Sequence, residues 1–199
     1  MIFALLLAAA APASAVEAER AFAAMAQRQG QWTAFRAFAA ADGLLFVPQQ
    51  VNAQQWLKDR PDPTQAVMWW PAEAWLSCDG TTAITTGPWL RNGGKLAGYF
   101  TTVWRKQPDG AWKWLLDHGD ALGSPRAAGD VTRTERASCR GLPARQVIEG
   151  QRGFEMAASP DGSLVWKWNV YENGARILWA ELWDGRGFRQ ILQDKVEPQ

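Results

Sequence analysis

GYFTTVWRKQPDGAWKWLLDHGD, Gly98 to Asp120, decides how the chain is read. Two apolar-rich runs flank Pro108-Asp109-Gly110. Proline presets φ at the first turn position and glycine takes the left-handed one, so the stretch reads as a β-hairpin around a tight turn. A three-residue loop sets Gln107 opposite Ala111. Trp104 then faces Trp114, Thr102 faces Leu116, and Phe100 faces His118. Strand alternation puts those six on one face. Tyr99, Thr101, Val103, Arg105, Lys113, Leu115 and Asp117 take the other. The first face is the more aromatic and the less charged, so it is expected to look inward. His118 then points inward near the sheet end and Asp117 points outward. A slip of one residue reverses that assignment.

Upstream, residues 17–41 (EAERAFAAMAQRQGQWTAFRAFAAA) are alanine-rich and helical in character. Ala21, Met25, Trp32, Phe35 and Phe38 form an apolar stripe that Gly30 interrupts. Leu44–Val47 reads as a short buried strand ended by Pro48. Asn52 caps a short helix that stops before Pro61. Strands follow at 67–70, 74–78 and 81–90. Downstream, residues 121–152 are rich in Gly, Pro, Arg, Ser and Ala and read as a linker. The last unit, 153–199, holds three strands with turns at Asn173-Gly174 and Asp184–Gly187. Such a three-stranded antiparallel meander needs a face packed on something. It is expected to dock on the first domain or on a second copy.

Helices first, then a short strand and helix, then a run of hairpins give an α+β order. AERAFAAMAQRQGQWTAFRAFAAADGLLFVP at the front and the Gly98–Asp120 hairpin at the back carry a resemblance. With Tyr99, Trp104, Pro108-Asp109-Gly110 and Trp112 in the hairpin, residues 17–120 resemble the SnoaL-like branch of the nuclear-transport-factor-2-like superfamily. The resemblance implies a domain over 16–120 in which N-terminal helices pack in a strongly curved antiparallel sheet. That is a cone-shaped, cystatin-like α+β roll with an apolar pocket inside. It implies no single chemistry. The superfamily includes ketosteroid isomerase, polyketide cyclases, limonene-epoxide hydrolase, dehydratases and members without catalysis. None of their catalytic motifs is matched residue by residue here, and residues 121–199 lie outside the resemblance.

The net charge of +1 supplies no field to gather nucleic acid or an anionic membrane. Residues 1–15, MIFALLLAAAAPASA, have the pattern of a secretory signal peptide ending in Ala13-Ser14-Ala15, although no Lys or Arg precedes the apolar run. The run is shorter than the ~20 residues a membrane span takes. Residues 1–15 are therefore set apart from the fold, and the mature chain is expected in a periplasm or secreted. Such a compartment favours a bond between Cys78 and Cys139, the only two cysteines. It would close a loop of roughly 60 residues, worth about 4 kcal/mol in the chain-entropy model. The alternative is two separate buried thiols. Two cysteines and one histidine are too few for an ordinary structural zinc site, so no metal is expected.

His118 is the one histidine and the candidate acid or base. The alternative is a histidine bonded to a neighbouring backbone group or carboxylate, without chemistry. Asp117 and Asp120 look like exposed carboxylates beside Gly119. The chain lacks GxSxG, and the Asp184–Gly187 cluster sits in a hairpin rather than before a helix, so no cofactor is expected. Phe35, Phe38, Trp56, Trp70 and Trp89, with Phe100, Thr102, Trp104, Trp114 and His118, are the expected pocket wall. Such a wall suits a small hydrophobic or aromatic molecule. Three readings follow. One is a ligand-binding domain without catalysis. Another is a lyase, isomerase or hydrolase that uses His118 on a hydrophobic substrate. The third is an assembly module whose Trp166, Trp168, Trp179 and Trp183 form a homodimer or partner surface.

Overall fold

The alanine-rich opening forms two helices that part at Gly30. In the computed structural model, which describes residues 12–129, 131–142 and 154–198, α1 spans Ala15–Gln29 and α2 spans Gln31–Phe38. Ser14 caps α1 by accepting from the Glu17 amide, and Ala15 is already buried. Residues 1–11 of the expected signal peptide lie outside the described residues. Gly30 sits at φ 112°, and a β-carbon there would run into the Asp62 carboxylate. That carboxylate accepts from both the Thr33 amide and the Thr33 hydroxyl, which fixes the start of α2. The buried face of α1 is Ala15, Ala18, Glu19, Phe22 and Ala26; of the expected stripe, Met25, Trp32, Phe35 and Phe38 pack partly buried against the same core, and Ala21 does not.

The chain continues through β1 (Ala39–Phe46), β2 (Gln50–Asn52) and α3 (Ala53–Leu57), which Asn52 caps. Then come β3 (Met68–Trp69), β4 (Glu73–Leu76), β5 (Thr82–Arg91), β6 (Leu96–Lys106), β7 (Trp112–Leu122) and β8 (Arg133–Arg136). They make one sheet in the order β2-β1-β7-β6-β5-β4-β8, with β3 beside β5. The protein is thus α+β, with few helices and a large sheet. The sheet is mixed rather than antiparallel throughout, because β1 runs parallel to β7 and β8 runs parallel to β4. β8 corrects the linker reading of 121–152. Its four residues, RTER, are all exposed and carry no apolar alternation, so only the backbone pairing to β4 makes them a strand.

A second sheet follows from β9 (Glu155–Ala158), β10 (Leu164–Val170), β11 (Arg176–Trp183) and β12 (Phe188–Val196), in the order β12-β11-β10-β9. The expected three-stranded meander therefore has a fourth strand, β9, too short to be read from its sequence. One face of this sheet packs on the large sheet. Leu164, Trp166, Trp168, Leu178 and Leu182 join Ile84, Val103 and Leu116 in one core. The other core lies on the helix face of the large sheet, around Phe22, Leu57, Trp104 and Trp114. Both faces of β6 are consequently covered, and Ala97 to Trp104 are buried without a break. Each large apolar side chain so buried contributes roughly 1.5–3 kcal/mol.

The docking divides the four tryptophans expected on one partner surface. Trp166 and Trp168 are buried between the sheets, while Trp179 and Trp183 meet Phe154 and Phe188 edge to face. Cys78 and Cys139 are bonded, with Cα atoms 5.2 Å apart, and join the chain after β4 to the chain after β8. The second sheet is fastened at the same corner, where the Cys78 amide donates to Ser163 Oγ and the Asp79 amide donates to Asp161 Oδ2.

Candidate functional site

The site is set by one extra residue in β7. From the turn, Arg105 pairs with Lys113 and Trp104 with Trp114, as the loop length dictates. The register then shifts. Val103 pairs with Leu116, Thr102 with Asp117, Thr101 with His118 and Phe100 with Gly119. Leu115 is the unpaired residue of a β-bulge. Every later side chain of β7 is therefore displaced by one position and changes face. The expected pairs Thr102–Leu116 and Phe100–His118 are replaced. Asp117 faces the helices, and His118 faces the second sheet.

On the helix side, Asp117 Oδ2 accepts from Thr102 Oγ1 at 3.0 Å. Thr102 also lies against Glu19, the fully buried carboxylate on the apolar face of α1. Glu19 Oε1 accepts from Trp69 Nε1 at 2.7 Å. Its Oε2 accepts from Thr85 Oγ1 at 2.6 Å and from Trp104 Nε1 at 2.9 Å. Burial raises the pKa of Glu19 against these donors. Asp117 is pushed up to about 8, first by burial and then by the nearby Glu19 charge, with only Thr102 opposing. Three donors favour the ionised form at Glu19, and Asp117 is the member of the pair that keeps its proton.

Asp117 lines a cavity of about 240 Å³. Trp32, Phe35, Trp56, Trp69 and Trp89, with Phe46 and Tyr99, supply its aromatic wall, and Leu45, Val47 and Val67 add aliphatic surface. Asp117 Oδ1 makes no hydrogen bond among the described residues. The cavity reaches both sides of β7 because the β1–β7 pairing ends at Leu44–Leu116, which leaves the β7 edge open at Asp117, His118 and Gly119.

On the other side of β7, His118 is fully engaged. Its Nδ1 accepts from Arg176 Nε at 2.9 Å, so the proton of the neutral ring sits on Nε2. Nε2 lies 3.3 Å from the Tyr99 hydroxyl and 4.0 Å from Asp194 Oδ2. Burial, with the Arg176 and Arg126 charges, holds the pKa of His118 well below its usual value. Asp194 accepts from Thr101 Oγ1 at 2.6 Å and pairs with Arg126. A ring with one nitrogen accepting and the other protonated has no free base to offer. This bonding matches the alternative reading of His118, a histidine held by its neighbours.

Of the expected wall, Phe35, Trp56, Trp89 and His118 line the cavity. Phe38, Phe100, Trp104 and Trp114 pack in the helix-side core, and Thr102 sits behind Asp117. Trp70 is not part of the lining; its backbone N–H donates to Pro88 on β5. Sequence reasoning misses Glu19, Asp117, Tyr99 and Arg176. Glu19 carries a signal, as the one charge at helical spacing within Ala15, Ala18, Phe22 and Ala26.

No protein-family model and no curated protein matches the chain. Among solved structures it is similar to a proposed ketosteroid isomerase from Parabacteroides distasonis. The two share 16% identity with a TM-score of 0.45, over 55% of this chain and 89% of the other. It is also similar to a DUF3225-family protein of unknown function from Pectobacterium atrosepticum. There the identity is 13% and the TM-score 0.38, over 52% of this chain and 87% of the other.

Proposed function

We propose that the chain is an extracytoplasmic binding protein whose nuclear-transport-factor-2-like cone takes a small, largely aromatic molecule. One observation carries the ligand reading: a cavity of about 240 Å³ walled by seven Trp, Phe and Tyr side chains, with a single carboxyl, Asp117, among its lining residues. Apolar walls with few polar groups are what small-molecule sites consist of. The cone reading is supported by the order of two helices, a strand, a helix and successive hairpins, with the helices covering one sheet face. The placement outside the cytoplasm is supported by the apolar leader pattern and by the Cys78–Cys139 bond.

The test is titration of the full chain with small neutral bicyclic aromatics, 2-naphthol and 2-naphthamide, read by tryptophan fluorescence. Saturable quenching, weakened in Trp56→Ala, is expected. A flat response to both compounds overturns the reading.

A second reading is favoured by the state of Asp117. A carboxyl that titrates at about 8 is poised to give or take a proton near neutrality. If the cavity performs chemistry, Asp117 is the acid or base, supported by Glu19 and Thr102. Asp117→Asn would then abolish turnover while leaving 2-naphthamide bound. Unchanged turnover in that variant removes the role.

A further inference from the structure

Arg176 also lines the cavity, and nothing on the small-molecule reading so far uses it. Its side chain comes from β11 of the second sheet and is 93% buried, from a relative exposure of 7%. Its Nε donates to His118 Nδ1, and its Nη2 donates to the Gly119 carbonyl at 2.6 Å. The Phe46 ring lies 5.5 Å from the guanidinium carbon. All three partners are uncharged. Among the described residues no carboxylate forms an ion pair with Arg176, and Nη1 makes no hydrogen bond. Asp194, the buried acid near His118, is taken by Arg126 and Thr101. A guanidinium does not shed its proton, so a largely buried positive charge borders the cavity with no carboxylate bonded to it, Asp120 acting on it only at a distance. Such a charge is costly unless something pairs with it.

We infer that Arg176 receives the carboxylate of the ligand, so that the cavity selects aromatic or apolar monocarboxylic acids. This rests on the small-molecule reading of the same cavity. The ring system would lie among Trp32, Trp56 and Trp89, and the acid group at Arg176. The planar fork of guanidinium N–H groups suits a carboxylate. A single cation matches a monoanion, whereas a dianionic phosphate would leave one charge unmet. Tyr99, another lining residue, can add a donor. His118 Nε2–H is placed to donate to the Tyr99 oxygen, which leaves the phenol hydrogen for the Lys195 carbonyl at 3.4 Å or for an incoming carboxylate. Asp117 does not oppose the anion near neutral pH, since it holds its proton there.

The experiment compares 2-naphthoate with 2-naphthamide, its uncharged analogue, on the full chain by calorimetry at neutral pH. The wild type is expected to bind the acid about tenfold tighter or more, as a charge-assisted hydrogen bond implies. Arg176→Gln should bring the two affinities to within about twofold, and Arg176→Lys should keep part of the preference. Should Arg176→Gln fail to fold, the wild type still answers. Naphthoate, and not naphthamide, should then shift one slowly exchanging arginine Nε–H resonance. Equal affinity for the two compounds, a preference that survives Arg176→Gln, or no shifted arginine signal overturns the inference and leaves the cavity reading standing. Binding of neither compound overturns both.

Discussion

Asp117 and His118 are neighbours in the chain and opposites in the molecule. On one side of β7, a carboxyl keeps one oxygen free towards a cavity. On the other, an imidazole has both nitrogens committed within a packed interface. A histidine with no free nitrogen is structural, whatever its reputation for chemistry. A carboxyl driven to hold its proton and left half unbonded is available. Side-chain type alone favours His118, whereas bonding capacity still unspent favours Asp117.

The sharpest way to break this comparison is to remove Glu19, whose charge adds to burial in raising Asp117. Glu19→Ala strands the N–H of Trp69 and the hydroxyl hydrogen of Thr85, while Trp104 Nε1 keeps Thr85 Oγ1 as its acceptor. At ~1–3 kcal/mol for each orphaned group, the loss should be about 4 kcal/mol by urea unfolding. A loss below about 1 kcal/mol would mean that water replaces the carboxylate and that the cluster is not a closed one. On the opposite side, Asp194→Ala should cost about 3 kcal/mol, because Arg126 and Thr101 lose a buried partner. The effect is smaller because Arg126 keeps some contact with water.

The two residues also give stability opposite slopes with pH. Asp117 in the folded chain holds its proton to about 8, far above its ordinary 3.8, so over that window the folded state binds more protons than the unfolded one. Its contribution therefore falls as pH rises from about 4 to about 8. His118 is held neutral when folded, so the unfolded chain binds more protons below its ordinary 6.5, and stability falls as pH drops through that range. Asp117→Asn should raise Tm at pH 8 by on the order of 5 °C and leave the acid limb in place. A Tm that does not move at pH 8 would mean Asp117 is ionised in the folded chain. His118→Gln should flatten the acid limb and keep the descending one. The smallest effect is expected there on ligand binding: the affinity for 2-naphthamide should stay within about twofold, and a larger loss would return His118 to the site.

Much of the helix side was legible. The Pro108-Asp109-Gly110 turn, the Trp104–Trp114 pair and the break at Gly30 follow from local backbone preferences, and the structure has all three. The bulge was not legible, because Leu115 and Leu116 are both apolar and nothing in the pair marks which one is extra. That one residue turned Asp117 inward and His118 outward. β8 and β9 escaped notice because four residues without alternation carry no periodic signal. Arg176 could not be connected to His118 from the sequence at all, since their contact spans 58 positions and exists only because the second sheet docks.

By itself, the sequence determined the α+β order of elements, the hairpins, the helix break and an aromatic supply sufficient for a pocket. These rest on interactions among residues close in the chain, where turn chemistry and side-chain period act directly. Only the tertiary structure decided which carboxyl lines the cavity, which histidine nitrogen is occupied and where, among the described residues, a cation lies with no carboxylate bonded to it. Those outcomes depend on a ladder register and on one sheet packing against another. Both are selected by the summed burial of many side chains, and no local run of residues carries that sum.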